Sequence, residues 1–371
     1  MMGSHFIAVS RLRAALTILF LGSTIAAGVP DITHARKELL TADEKGLLYR
    51  AETIHLETLA LSSRGPLDAG SITKVVSTRF EQLGYRIVTD NDRPHEVTVK
   101  VKCEELKTWE GTGRSGGDAD MMDAAARLWK GPACQLSYRF GTRWADWRHE
   151  VRTSFTNPQE AAQKAGQADA GMYAIAKLID QLQIDHFPFL LAAEWGQSSR
   201  LVQTLDATGT TLPQKQMVIG LLGDMLAVDA IPRLTAALND SDQAVAQAAT
   251  TALGTIGHED GIPALLALFK TGTPDQHRAA AVGLGRLAPL HPNSDIVPTF
   301  ITVLPNEPLQ TQIILVRALG KTTDRRVLPP LRTLHRSVLK QARSDSSAET
   351  KELLASLGIA LDGFDGVHTE E

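Results

Sequence analysis

Apolar and polar positions follow two different rhythms along this chain. Over residues 31–195 the rhythm keeps changing. A polar helical lead-in (33–50) precedes a strand pattern over 53–61 and a break at Gly65-Pro66. Ile72, Val75, Val76, Phe80 and Leu83 then form one apolar stripe at helical spacing, which predicts a helix capped by Asp68 and ended by Gly84. A short strand (85–89), a turn over Asp90-Asn91-Asp92-Arg93-Pro94 and three more strands (96–104, 133–143, 147–155) follow. Asn157-Pro158 opens a long helix to about Gln183. The order β-α-β-β-β-β-α predicts a small antiparallel-rich sheet with helices on one face.

From 198 to 359 the pattern is helical and repeats itself. Proline recurs at Pro232, Pro263, Pro298 and Pro329, and glycine at Gly223, Gly254, Gly285 and Gly320. Each complete unit runs 22 residues from Pro to Gly. Asp229, Asp260 and Asp295, three residues before a Pro, are placed to cap a helix whose first turn tolerates proline, and the Gly falls near the end of a second helix. One unit carries four extra residues, Leu290-His291-Pro292-Asn293, in a turn that accommodates an insertion. The second-helix segments are Val245-Ala-Gln-Ala-Ala-Thr-Thr-Ala-Leu-Gly254, Gln276-His-Arg-Ala-Ala-Ala-Val-Gly-Leu-Gly285 and, more loosely, Thr311-Gln-Ile-Ile-Leu-Val-Arg-Ala-Leu-Gly320. They resemble the V-R-R-A-A-A-x-A-L-G pattern of the HEAT-like repeats named after the phycobilin lyases. With a degenerate unit ending at Leu222-Gly223 and a last one over 327–358, the resemblance implies an α-solenoid of about five helix pairs. The fold class expected is an α+β N-terminal domain (31–195) followed by an all-α HEAT-like solenoid (198–359) and a polar tail (362–371). The order of elements in the first domain resembles the small α/β domains of bacterial envelope assembly factors.

Composition narrows the function. The 371 residues suit about two domains. With 22% charged residues and a net charge of −4 there is no bias toward polyanions, so nucleic acid is not expected as a partner. Arg11 and Arg13 precede a charge-free segment, 14–27, and Ala26-Ala27-Gly28 offers small residues for cleavage, with Thr33-His34-Ala35 as a second site. Residues 1–28 therefore read as a signal peptide, and the expected location is periplasmic or secreted; an uncleaved leader would instead anchor the protein in the inner membrane. Export permits disulfides. Cys103 and Cys134 fall on the apolar faces of two strands, at the neck of the 104–133 loop, and are expected to bond if those strands pair antiparallel.

Gly113-Arg114-Ser115-Gly116-Gly117 matches the G-x-S-x-G elbow, with Asp146 before His149 or His186 in the required order, but the central parallel sheet that an elbow needs is not predicted. A glycine-rich loop is the simpler reading. The same glycines lack the terminal Gly-Lys-Ser/Thr of a phosphate loop. His258-Glu259 is similar to the His-Glu pairs with which deoxyhypusine hydroxylase holds two irons, yet the repeats contain one such pair only, in a turn; His95-Glu96 and His149-Glu150 fall in the first domain. No metal and no small-molecule cofactor is expected. The lyase name implies chromophore attachment, a cytoplasmic chemistry that does not fit an exported chain.

What the resemblance does imply is a mode of presentation, in which second helices line a concave face. Three columns are equivalent: Ala246, His277 and Gln312; Gln247, Arg278 and Ile313; Thr251, Val282 and Arg317. From these, Gln247, His277, Arg278, Gln312 and Arg317 are the expected contacts to a protein partner. Arg325, Arg326, Arg332, His335, Arg336, Lys340 and Arg343 form a basic stretch, read as the solvated face of a capping repeat or a surface for anionic lipid or an acidic partner. Membrane contact is expected only there or through an uncleaved leader. The function expected is that of an exported, non-enzymatic scaffold or adaptor. The alternative is an enzyme, a serine hydrolase using Ser115 or a lyase-like modifier of a client protein.

Overall fold

The structure, a computed structural model, describes residues 40–62, 64–105, 108–110, 127–129, 131–155, 158–166, 169–345 and 347–365. The leader (1–28), the Ser115 motif and residues 366–371 of the tail lie outside the described residues. The first half contains α1 (Ala42–Tyr49), β1 (Thr53–Ser62), β2 (Gly65–Leu67), α2 (Gly70–Gln82), β3 (Arg86–Val88), β4 (Val97–Glu104), β5 (Thr108–Glu110), β6 (Arg127–Trp129), β7 (Ala133–Phe140), β8 (Arg143–Trp144) and β9 (His149–Arg152). Three helices, α3 (Pro158–Ala165), α4 (Ala170–Ile184) and α5 (Phe187–Glu194), lead into the repeats.

The main sheet has the order β2-β1-β4-β7-β8, with β3 also on β1 and β9 also on β7. Four of its strand pairs are antiparallel as expected, but β1 runs parallel to β3 and β4. The cause is α2, which carries the chain back over the sheet before β3 and so returns it in the same direction. β5 and β6 pair as a separate ribbon that the sequence pattern does not announce. The long helix expected to start at 157 is two helices, because Gly166 turns the chain at φ +64° and Asp169 starts α4 afresh by accepting from the Met172 N–H at 3.0 Å. Likewise Asp68 does not cap α2: Ala69 is the cap residue, and Asp68 accepts from the Gly70 N–H.

Alternation decides which sheet face is buried. Ile54, Leu56 and Ala60 of β1 stand beside Val97, Val99, Val101 and Cys103 of β4 and Cys134, Leu136 and Tyr138 of β7, all buried. Ile72, Val76 and Phe80 of α2 with Leu178 and Leu182 of α4 close this core. Cys103 and Cys134 are direct partners in the β4–β7 register and are joined by a disulfide.

Five helix pairs follow: α6 (Ser198–Asp206) with α7 (Leu212–Asp224), α8 (Ile231–Ala237) with α9 (Gln243–Ile256), α10 (Ile262–Thr271) with α11 (Pro274–Leu287), α12 (Ile296–Val303) with α13 (Leu309–Leu319), and α14 (Leu328–Gln341) with α15 (Ala348–Asp365). The caps differ from expectation. None of Asp229, Asp260 and Asp295 caps its helix through the side chain. Short 3₁₀ turns lead into α8, α10 and α14 instead, with proline in the first helical turn. Side-chain caps sit on second helices, from Thr211, Asp242 and Thr273. The final helix also runs four residues into the expected tail, because Leu361 and Phe364 pack on the core.

The small repeated residues have a steric reason. A Cβ on Gly254 would lie 2.7 Å from the Gly283 Cα, one on Gly223 3.1 Å from the Ala252 Cα, and one on Gly320 3.0 Å from the Ala360 Cα. The second helices α7, α9, α11, α13 and α15 are thus stacked almost backbone to backbone. They form an inner row, and the first helices of the pairs form an outer row.

Leu40–Glu371 forms one compact unit, with a core continuous from the sheet to the last repeat. The join is polar as well as apolar. Trp195, 2% exposed, meets Tyr85 and Tyr138 edge to face, with ring centroids 5.7 and 5.4 Å away. Buried Gln197 donates to the Leu48 and Ala51 carbonyls at 2.8 and 2.9 Å. Its oxygen accepts from the Tyr85 hydroxyl at 2.6 Å and from Arg200 Nε at 2.8 Å. Burial pushes the Tyr85 ionisation up, against the opposing charge of Arg200, so the hydroxyl remains a donor.

Two stability measurements test this packing. In urea unfolding, Gly254→Leu should lose at least about 1–3 kcal/mol by overpacking, whereas Gly220→Ala, which meets nothing within 4 Å, should gain about 0.5–1 kcal/mol. Alkylation after non-reducing unfolding should label no thiol, and reduction should lower stability by about 3–4 kcal/mol for a loop of this length. Two free thiols would refute the crosslink.

Candidate functional site

The inner row presents one helix beside the next at a fixed offset, so exposed residues of α9, α11 and α13 form a continuous surface. Gln243 and Gln247 from α9, Asp275, Arg278 and Val282 from α11 and Ile314 from α13 line a groove of about 380 Å³. Val282 is 43% exposed there. A neighbouring groove between α7 and α9, about 360 Å³, is floored by Gly223 and Ala252 and edged by Asp224, Gln247 and Thr251. The depth of both follows from the stacking, since small residues at the helix contacts leave the larger exposed side chains standing as walls.

Polar links cross this surface from helix to helix. Gln243 Nε2 donates to Asp275 at 3.2 Å, and Arg278 donates both to Asp275 and to Gln310 Oε1, the latter at 3.2 Å. Gln310 Nε2 in turn donates to Glu349 at 3.0 Å, so one ladder spans α9, α11, α13 and α15. Nearer the other helix ends, Arg286 donates to Thr255 at 2.9 Å, and Arg317 donates to Glu352 at 2.8 Å and to Ser356 at 3.2 Å. These links are exposed, and each contributes at most about 1 kcal/mol. Their larger effect is to hold long side chains in set positions before anything binds.

The five sequence-predicted contacts divide. Gln247 and Arg278 come together in the central groove, and Arg317 is exposed on the same row. His277 is half-buried and lines a third groove, about 310 Å³, with Arg278, Gln310 and Glu349, whereas Gln312 is buried away from the open surface. His277 stacks on Phe269 with ring centroids 4.1 Å apart and bonds Glu307 at 3.0 Å, while buried Gln312 donates to the Leu304 carbonyl at 3.0 Å. Both fasten an inner helix to its outer partner, and Ala246 of the same column is buried. Ile313 is buried as well, and α13 presents Gln310 and Ile314 to the grooves. Asp275, Gln310, Glu349 and Glu352 were missed by counting back from the glycines. The signal available was a spacing of three residues between exposed positions on the same helix: Asp275 to Arg278, and Glu349 to Glu352.

The chemistry proposed for other motifs finds different uses for the residues described. His149, one candidate partner for Ser115, bonds Asp185 at 2.8 Å and stacks on Trp147. Burial works against ionisation of Asp185, but the His149 bond and charge and the Phe187 N–H hold its carboxyl below the usual range. His258 accepts from the Asp260 N–H and so shapes the turn before α10. Among the described residues no group of three or more His, Cys, Asp or Glu side chains is placed to hold a metal ion.

Comparison with known proteins agrees with the repeat geometry. Residues 201–285, from α6 to α11, match the family HEAT repeats. No curated protein matches the chain. HEAT repeats commonly mediate interactions between proteins. The match and five stacked helix pairs identify a HEAT-like repeat protein whose solenoid follows a mixed sheet with a few helices.

Proposed function

We propose that this protein is an exported, non-enzymatic scaffold that holds an extended segment of a protein partner against the inner row of its helices. The groove between α9, α11 and α13 carries the reading. Its walls combine amide donors and acceptors on Gln243 and Gln247, a guanidinium fixed by Asp275, and apolar Val282 and Ile314. Such a surface can pair with a peptide backbone and bury alternate apolar side chains without demanding a fixed charge. Export rests on the leader, whose charge-free segment follows two arginines. The sheet half supplies a rigid base for the stack, and the disulfide suits an oxidising compartment.

Crosslinking in an envelope fraction identifies partners of the full chain, and quantitative retention then compares variants. Joint alanine replacement of Gln247, Arg278 and Arg317 should reduce retention of the bound partner at least tenfold, and Val282→Arg, which fills the groove and leaves the ladder intact, should do the same. Unchanged retention of every partner by both variants would overturn the reading.

A further inference from the structure

The last repeat separates its charges. In the outer helix α14 the residues Arg332, Arg336 and Lys340 are all exposed, Arg343 follows in the turn after it, and the helix contains no acidic residue. Acidic residues of the same repeat lie on α15: Glu349 and Glu352, engaged by Gln310 and Arg317 of the inner ladder, and Asp362 and Asp365 near its end. Close to α14, Asp324 is taken by Arg326, and Asp345 is held by Ser347 and Thr350. The other outer helices from α8 to α12 contain no acidic residue either and carry only Arg233 and Lys270.

At 3.6 residues per turn, Arg332, Arg336, Leu339 and Lys340 of α14 fall within an arc of about 100°, and Arg343 follows in the turn. Buried Leu331 and Val338 occupy the opposite side. The cationic stripe rises about 12 Å along the helix, and Leu339 within it is 46% exposed. Arg336 is not committed to an acid: its Nε donates to the Arg332 carbonyl.

We infer that this outer face of α14 docks the protein on an anionic lipid surface. The stripe lies on the side of α14 opposite the buried Leu331 and Val338, so it is open to a surface approaching from solvent. Its long aliphatic stems let the charges reach phosphates while Leu339 enters the headgroup boundary. A bilayer requires only charge density and an apolar contact, and the stripe supplies both. Docked this way, the protein directs its inner row away from the membrane, toward a partner.

Flotation of the full chain with phosphatidylcholine vesicles, with and without about 30% phosphatidylglycerol, tests this. Any contribution of the leader is common to all variants, so the comparison isolates the stripe. The wild-type chain should float with the anionic vesicles and detach at about 0.5 M salt. Arg336→Glu, Lys340→Glu and Arg343→Glu together should lower the bound fraction at least tenfold, and the corresponding three Gln replacements should lower it less, with unchanged thermal unfolding in both. Equal flotation of wild type and the Glu variant would overturn the inference, as would binding that ignores phosphatidylglycerol. Retention on polyglutamate without binding to anionic vesicles would overturn it in favour of an acidic protein.

Discussion

Gln197 joins the two halves of the molecule through four hydrogen bonds. Both of its N–H groups donate to backbone carbonyls at the end of α1 and just beyond it, and its oxygen accepts from Tyr85 beside the sheet and from Arg200 of the first repeat. Nothing in the amide is left over for water, which burial at 2% exposure would exclude in any case. Loss of this side chain leaves several buried groups unpaired at about 1–3 kcal/mol each. That exceeds the contribution of any exposed link on the inner face. Trp195 and its two tyrosine neighbours surround the same point with apolar surface, so orientation is set by hydrogen bonds and adhesion by burial.

With the first pair fixed, each later pair is placed by its neighbour. Glycine and alanine bring inner helices into near contact. The grooves result from the same contacts, because a surface stacked at a constant offset repeats its walls. The Gln, Asp, Arg and Glu ladder adds little stability, yet it presents the walls in a fixed arrangement, which lowers the ordering cost on binding. One end of the stack is rigidly based on the sheet, and its far end carries the segregated charges of α14 and α15.

Much of this was legible from spacing alone. Pro-to-Gly intervals located the pairs, and alternation around Cys103 and Cys134 located a disulfide that register then explained. Single-residue geometry was harder to read. Gln312 looks like a surface residue in a column, but it is buried against the end of the outer helix, and only the packing of the pair reveals that. Asp229 and Asp260 look like caps, but 3₁₀ turns carry the chain into the helices without their side chains, and Asp295 starts its helix without a side-chain bond. The parallel β1–β4 pair depended on where α2 returns the chain, a long-range outcome that a local period does not encode. Gln197 had no sequence signal beyond its place next to Trp195: a lone glutamine at a helix start is ordinary until four partners from distant segments converge on it.

The central claim is that the sheet and the repeat stack are one structural unit joined at Gln197 and Trp195. All five tryptophans lie at or before Trp195, so fluorescence reports on the sheet half and the join, whereas far-ultraviolet circular dichroism is dominated by the repeat helices. Equilibrium urea unfolding followed by both signals is the most direct test. The account predicts coincident transitions with a common midpoint. Two separated transitions, with the helices melting while the tryptophan signal stays native or the reverse, would contradict it.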